Sequence, residues 1–108
     1  MKRISDSDAK YIADLIATQA AQELEKRNPV QMMRNAGLSI NTFNHVDEDR
    51  QKEMLATAQE FNKIAFSEQF EAQILENPEA FFTQHTQLFD QAELELEEYL
   101  FEDQQTNN

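Results

Sequence analysis

From Ile64 to Asn108 the chain carries eleven carboxylates and neither lysine nor arginine. They are Glu68, Glu71, Glu76, Glu79, Asp90, Glu93, Glu95, Glu97, Glu98, Glu102 and Asp103. Uncompensated carboxylates attract basic proteins, imitate the phosphates of a nucleic acid, or hold hard cations. The densest stretch is Asp90 to Asp103, with seven acids in fourteen residues. As a helix it spans about 21 Å, one charge per ~3 Å. That matches one DNA strand at ~3.4 Å per charge and falls short of a duplex at ~1.7 Å. Mimicry of a duplex would need a second acidic edge.

Leu94 and Phe101 lie seven residues apart among these acids, on the helix face opposite the main apolar stripe. Apolar groups within a charged face often anchor a partner. The expected partner-binding set is therefore Asp90, Glu93, Leu94, Glu97, Glu98 and Phe101. Taken alone, the acids are also explained by a solvated face. Tyr11 and Leu15 form a second off-stripe pair, expected to serve self-association.

Other chemistry is poorly supplied. His45-Val46-Asp47-Glu48-Asp49 gathers metal-ligand types, but an acidic helix start explains its carboxylates fully. His85 sits within an apolar stripe and reads as a packed histidine. There is no Glu-x-x-His pair for a di-iron bundle and no Asp-rich calcium loop. One glycine precludes a Gly-rich phosphate loop, and the absence of cysteine removes thiol chemistry. The serines and histidines match no triad pattern. We expect no catalytic residue, no metal and no cofactor.

The charge is divided unevenly. Residues 1–36 carry a net +1 and residues 37–108 a net −13, for −12 in all. A total this negative disfavours direct binding to nucleic acid or to an anionic membrane. No run approaches the 18 or so apolar residues of a membrane span. The basic start Met1-Lys2-Arg3 has no apolar stretch behind it, so no secretory signal is visible and cytoplasmic residence is the default.

The elements that must position these groups are helices. With one glycine and two prolines, the chain has few of the breakers an all-β fold requires. Ser5 or Ser7 caps a first helix whose inner face is Ala9, Ile12, Ala13, Ile16, Ala20 and Leu24. Its alanines allow close approach of another helix. Asn28-Pro29 starts a short second helix, with Val30, Met33 and Ala36 inward, Gln31 reaching back to the cap, and Gly37 just past the end. The uncharged stretch 35–46 reads as an ordered connection, with a single helical turn starting at Ser39.

Asp47 caps the next helix, whose main face is Met54, Ala58, Phe61 and Ala65, with Leu55 and Phe66 pointing elsewhere and a kink or new start near Ser67. Asn77-Pro78 starts the last helix. There Phe81, Phe82, His85, Leu88, Phe89, Ala92, Leu96, Tyr99 and Leu100 share one stripe, and Asp90 is a candidate break.

These features predict an all-α protein: a compact bundle of four to five helices over residues 1–103, an acidic C-terminal helix, and a disordered tail at 104–108. Three surplus apolar pairs, Tyr11/Leu15, Leu55/Phe66 and Leu94/Phe101, predict a homodimer. The predicted function is non-catalytic binding of a protein partner with a basic surface, as an adaptor, chaperone or regulator. The alternative is a phage-type inhibitor that mimics nucleic acid and blocks a DNA- or RNA-handling protein.

Overall fold

The computed structural model describes residues 4–93. Among them are six helices and no strand. They are α1 (Asp6–Arg27), α2 (Pro29–Asn35), α3 (Ile40–Asn44), α4 (Glu48–Glu76), α5 (Pro78–Gln84) and α6 (Thr86–Gln91). The molecule measures 62 × 20 × 20 Å along its principal axes, an elongated form where a compact bundle was expected. α4, whose 29 residues span about 43 Å, supplies about two-thirds of that length.

Side-chain caps set most of the boundaries. Ser5 Oγ accepts from the Asp8 N–H at 3.1 Å, and Asn28 Oδ1 from the Gln31 N–H at 3.1 Å. Ser39, Asp47 and Asn77 do the same for α3, α4 and α5. Each satisfies one of the free N–H groups at a helix start. The α2 terminus is a Schellman turn. The Gly37 N–H donates to the Arg34 carbonyl and the Leu38 N–H to the Met33 carbonyl, with Gly37 at φ 74°. The Gln31 amide does not reach back to the cap. It donates forward to Asn35 Oδ1 at 2.7 Å.

The frame is an antiparallel pair, α1 against α4. Gln59 Nε2 donates to Glu25 Oε1 at 2.8 Å near one end, and the Ser67 hydroxyl donates to the Asp14 carboxylate further along. Ala9, Ala13, Ala17 and Ala21 are all buried, so the helices approach closely. Ser67 is thus an inter-helix tie, and α4 runs through it without a break.

Two apolar cores lie along this pair. One gathers Ile4, Ala9, Ile12, Ala13, Ile16 and Ala17 with Phe70, Ile74, Phe81 and Phe89. The other joins Met32, Met33 and Ala58, with Leu24, Leu38, Ile40, Phe43 and Leu55 around them. Leu55 and Phe66 are therefore half-buried against the two cores and do not form a free pair. Val30 is not inward; it is 41% exposed, while its neighbour Met32 takes the buried place.

A chain of amides joins α2 to α4. Asn35 Nδ2 donates to Asn62 Oδ1 at 2.8 Å, and buried Asn62 Nδ2 reaches the Met32 carbonyl at 2.9 Å and the Ala58 carbonyl at 2.7 Å. The Met32 carbonyl depends on this contact, because the Ala36 N–H turns instead to Met33. Leaving a buried acceptor unmatched costs about 1–3 kcal/mol. We expect Asn62→Ala to destabilise the fold by about that amount, measurable by urea unfolding.

The last helical stretch differs from the single long helix expected. It breaks at His85, between α5 and α6, and α6 ends at Gln91 with Glu93 at φ 54°. The break brings Phe81 and Phe89 edge to face at 5.7 Å, both buried in the first core. Thr83 and Thr86 hydroxyls bond the carbonyls of Glu79 and Phe82, local contacts that compete with a straight helix.

Candidate protein-binding surface

α4 is apolar on two sides. Its inner side, with Phe66, Phe70 and Ile74, meets α1 and α5. A second line is spaced alternately by three and four residues: Met54, Ala58, Phe61, Ala65, Glu68, Ala72 and Leu75. That spacing is the seam of a helix that packs lengthwise on another helix. Met54 and Ala58 are buried, and Ala58 lies under Met32 and Met33 of α2.

Beyond Ala58 the cover stops. Phe61 is 47% exposed and Leu75 45% exposed, and Ala65 and Ala72 are exposed as well. Ile64 lies beside the seam and is 52% exposed. Phe61 and Ala65 are therefore not core residues, contrary to the expectation from periodicity. The open half spans about 21 Å, from residue 61 to residue 75.

Acids accompany this open half. Glu68 lies within the seam, with Glu71, Glu76 and Glu60 around it. Among the described residues the ion pairs are Arg27–Glu23 and Arg50–Glu53, and neither involves these four. The cation nearest in sequence, Lys63, is a same-face neighbour of Glu60 but falls far round the helix from Glu68 at 100° per residue. The result is an exposed apolar line with its carboxylates unneutralised.

No protein-family model, curated protein or solved structure matches this chain.

A cleft lies where α5 and α6 meet α1. The cleft, of about 310 Å³, is lined by Ala20, Leu24, Phe66, His85, Leu88 and others, with Glu23 and Arg27 among its polar lining. His85 packs on Phe70 and Phe81, with ring centroids 5.1 and 4.5 Å away. Burial lowers its pKa below the ordinary 6.5. The folded protein thus binds fewer protons than the unfolded chain as pH falls through the usual imidazole range. The stability tied to neutral His85 is complete above that range and is lost as pH drops toward the folded value. Thermal midpoints measured from neutral to mildly acidic pH should show this loss, and His85→Gln should remove that component of the profile.

The residues singled out from sequence are scattered. His45 is exposed, its Nδ1 2.7 Å from the Asn41 carbonyl, and Asp47 caps α4. No three histidine or acidic side chains come together as a metal-ligand group among the described residues. Tyr11 is 53% exposed and Leu15 half-buried on α1. Asp90 is exposed in α6, and Glu93 follows the end of that helix. The helix carrying Asp90 thus does not run unbroken toward Asp103. Leu94, Glu97, Glu98 and Phe101, and the tail at 104–108, lie outside the described residues. No helix among the described residues is long and apolar enough to cross a membrane.

Proposed function

We propose that this chain is a non-catalytic interaction protein, an adaptor, chaperone or regulator. It binds a protein partner through an apolar, acid-flanked helical surface. The observation that carries this reading is the exposed seam of α4: Phe61, Ile64 and Leu75 stand in solvent beside unpaired Glu68 and Glu71. Exposed large apolar side chains aligned on one rigid helix supply anchors, and the surrounding acids select a basic partner.

Mimicry of nucleic acid is the weaker alternative. A phosphate surface is read as charge, whereas here the acids lie among the exposed Phe61, Ile64 and Leu75. Homodimerisation through Tyr11 and Leu15 stays a proposal, without Leu55 and Phe66 as a ground for it.

The test is recovery of a partner from native extract on the immobilised protein, washed at low and high salt. Recovery that survives high salt and is lost with Phe61→Ala/Leu75→Ala supports apolar anchoring. A partner lost in high salt and indifferent to those two residues supports mimicry.

A further inference from the structure

We infer that the occupant of the open α4 seam is a cationic amphipathic helix of another protein, laid along α4 and continuing the cover that α2 begins. The inference rests on the protein-binding reading of α4 and names its partner. Three observations carry it.

The first is continuity. One seam runs from Met54 to Leu75, and the chain's own helices fill only its beginning. A second helix laid end-on to that cover would meet Phe61, Ala65, Ala72 and Leu75 in the same three-four rhythm. Ala65 and Ala72 leave room for close approach, while Phe61 and Leu75 provide the bulk at either end. About four turns of partner helix suffice to span the open part.

The second is charge. Glu68, Glu71 and Glu76 lie in or beside the seam without ion pairs among the described residues. A partner presenting lysine or arginine at its flanks neutralises them. The rest of this chain is a poor complement, because residues 94–108 hold five acids and no lysine or arginine.

The third is the position of Glu68. It is the midpoint of the open seam, seven residues from both Phe61 and Leu75. Pairing α4 with a second copy, parallel in register or antiparallel about that midpoint, sets Glu68 against its own equivalent. Opposed like charges at a closing interface are unfavourable. A single cation at the matching place of a different helix is favourable there.

The probe is a synthetic helical peptide with leucine and alanine on its seam, one central lysine within it, and lysine or arginine on both flanks. Two controls are a shuffled peptide of the same composition and one with glutamate for the central lysine. Binding to the full chain is followed by fluorescence anisotropy, and the mass of the free protein by light scattering.

The lysine peptide should bind, and the shuffled one about tenfold more weakly or worse. Glu68→Lys should weaken the lysine peptide about tenfold and restore binding of the glutamate peptide. Circular dichroism of Glu68→Lys should match the parent, since Glu68 is exposed.

Equal binding of the shuffled peptide, or indifference to Glu68→Lys, overturns the inference. So does a free-protein dimer that Phe61→Ala/Leu75→Ala dissociates, because the seam then belongs to a second copy. If the peptide fails while partner capture still depends on Phe61 and Leu75, the helical partner is wrong and the protein-binding surface stands. If capture does not depend on them either, both fall.

Discussion

Replacing Phe81 by alanine should cost about 3–5 kcal/mol. Domains of this size are stable by only about 5–15 kcal/mol, so the variant should be close to unfolding at ordinary temperature. Phe81 is 2% exposed and holds α5 to the frame. Its ring meets Phe70 at 5.3 Å, Phe89 at 5.7 Å and His85 at 4.5 Å. Truncation removes all three contacts and leaves a cavity whose walls belong to three helices, so little collapse can refill it. Thermal denaturation followed by circular dichroism should show a midpoint lowered by more than about 10 °C. The half-buried neighbour Phe82 should tolerate alanine with a smaller loss.

The helices themselves were legible because their starts are chemical. Ser5, Asn28, Ser39, Asp47 and Asn77 each cap where local chemistry says they should. On α1 the periodicity placed Ala9, Ile12, Ala13 and Ile16 inside correctly, but the buried face continues through Ala17 and Ala21, with the expected Ala20 and Leu24 only half-buried. Periodicity does not say what covers a stripe, however. Met54, Ala58, Phe61 and Ala65 form one genuine line on α4, yet α2 is too short to cover more than its start. That is why a core was expected where a surface is found.

The other inner stripe of α4 was hidden by its polar members. Asn62 and Ser67 look like solvent residues in sequence and are buried because α2 and Asp14 of α1 supply their partners. Likewise the break at His85 has no strong local signal, since among the described helices α6 alone lacks a side-chain cap bond. Packing of Phe81 and Phe89 into the same core decides it. The acidic concentration was visible from the start, but sequence drew attention to residues 90–101, whereas the exposed anchors described here lie at 61–75.

The double substitution Phe61→Ala/Leu75→Ala should act oppositely on folding and on binding. Both side chains are nearly half exposed, so their loss removes little core. Alanine is also the better helix former, by several tenths of a kcal/mol against phenylalanine. Unfolding free energy should therefore change by about 0.5 kcal/mol or less. Binding should suffer far more, because large apolar anchors in an interface carry about 2 kcal/mol or more each. A loss of about 1000-fold in affinity is expected, measured by titration calorimetry against the recovered partner. The contrast separates a binding surface from a structural one, since a structural stripe would lose stability and affinity together.

The most direct measurement is site-specific crosslinking in native extract with a photoreactive amino acid placed at position 64, beside the α4 seam, or at position 90, in the acidic terminal region. The surface described here predicts a discrete heterologous adduct from position 64, suppressed by Phe61→Ala/Leu75→Ala, with little from position 90. Adducts formed only from position 90 would contradict it and return the binding site to the acidic terminal segment.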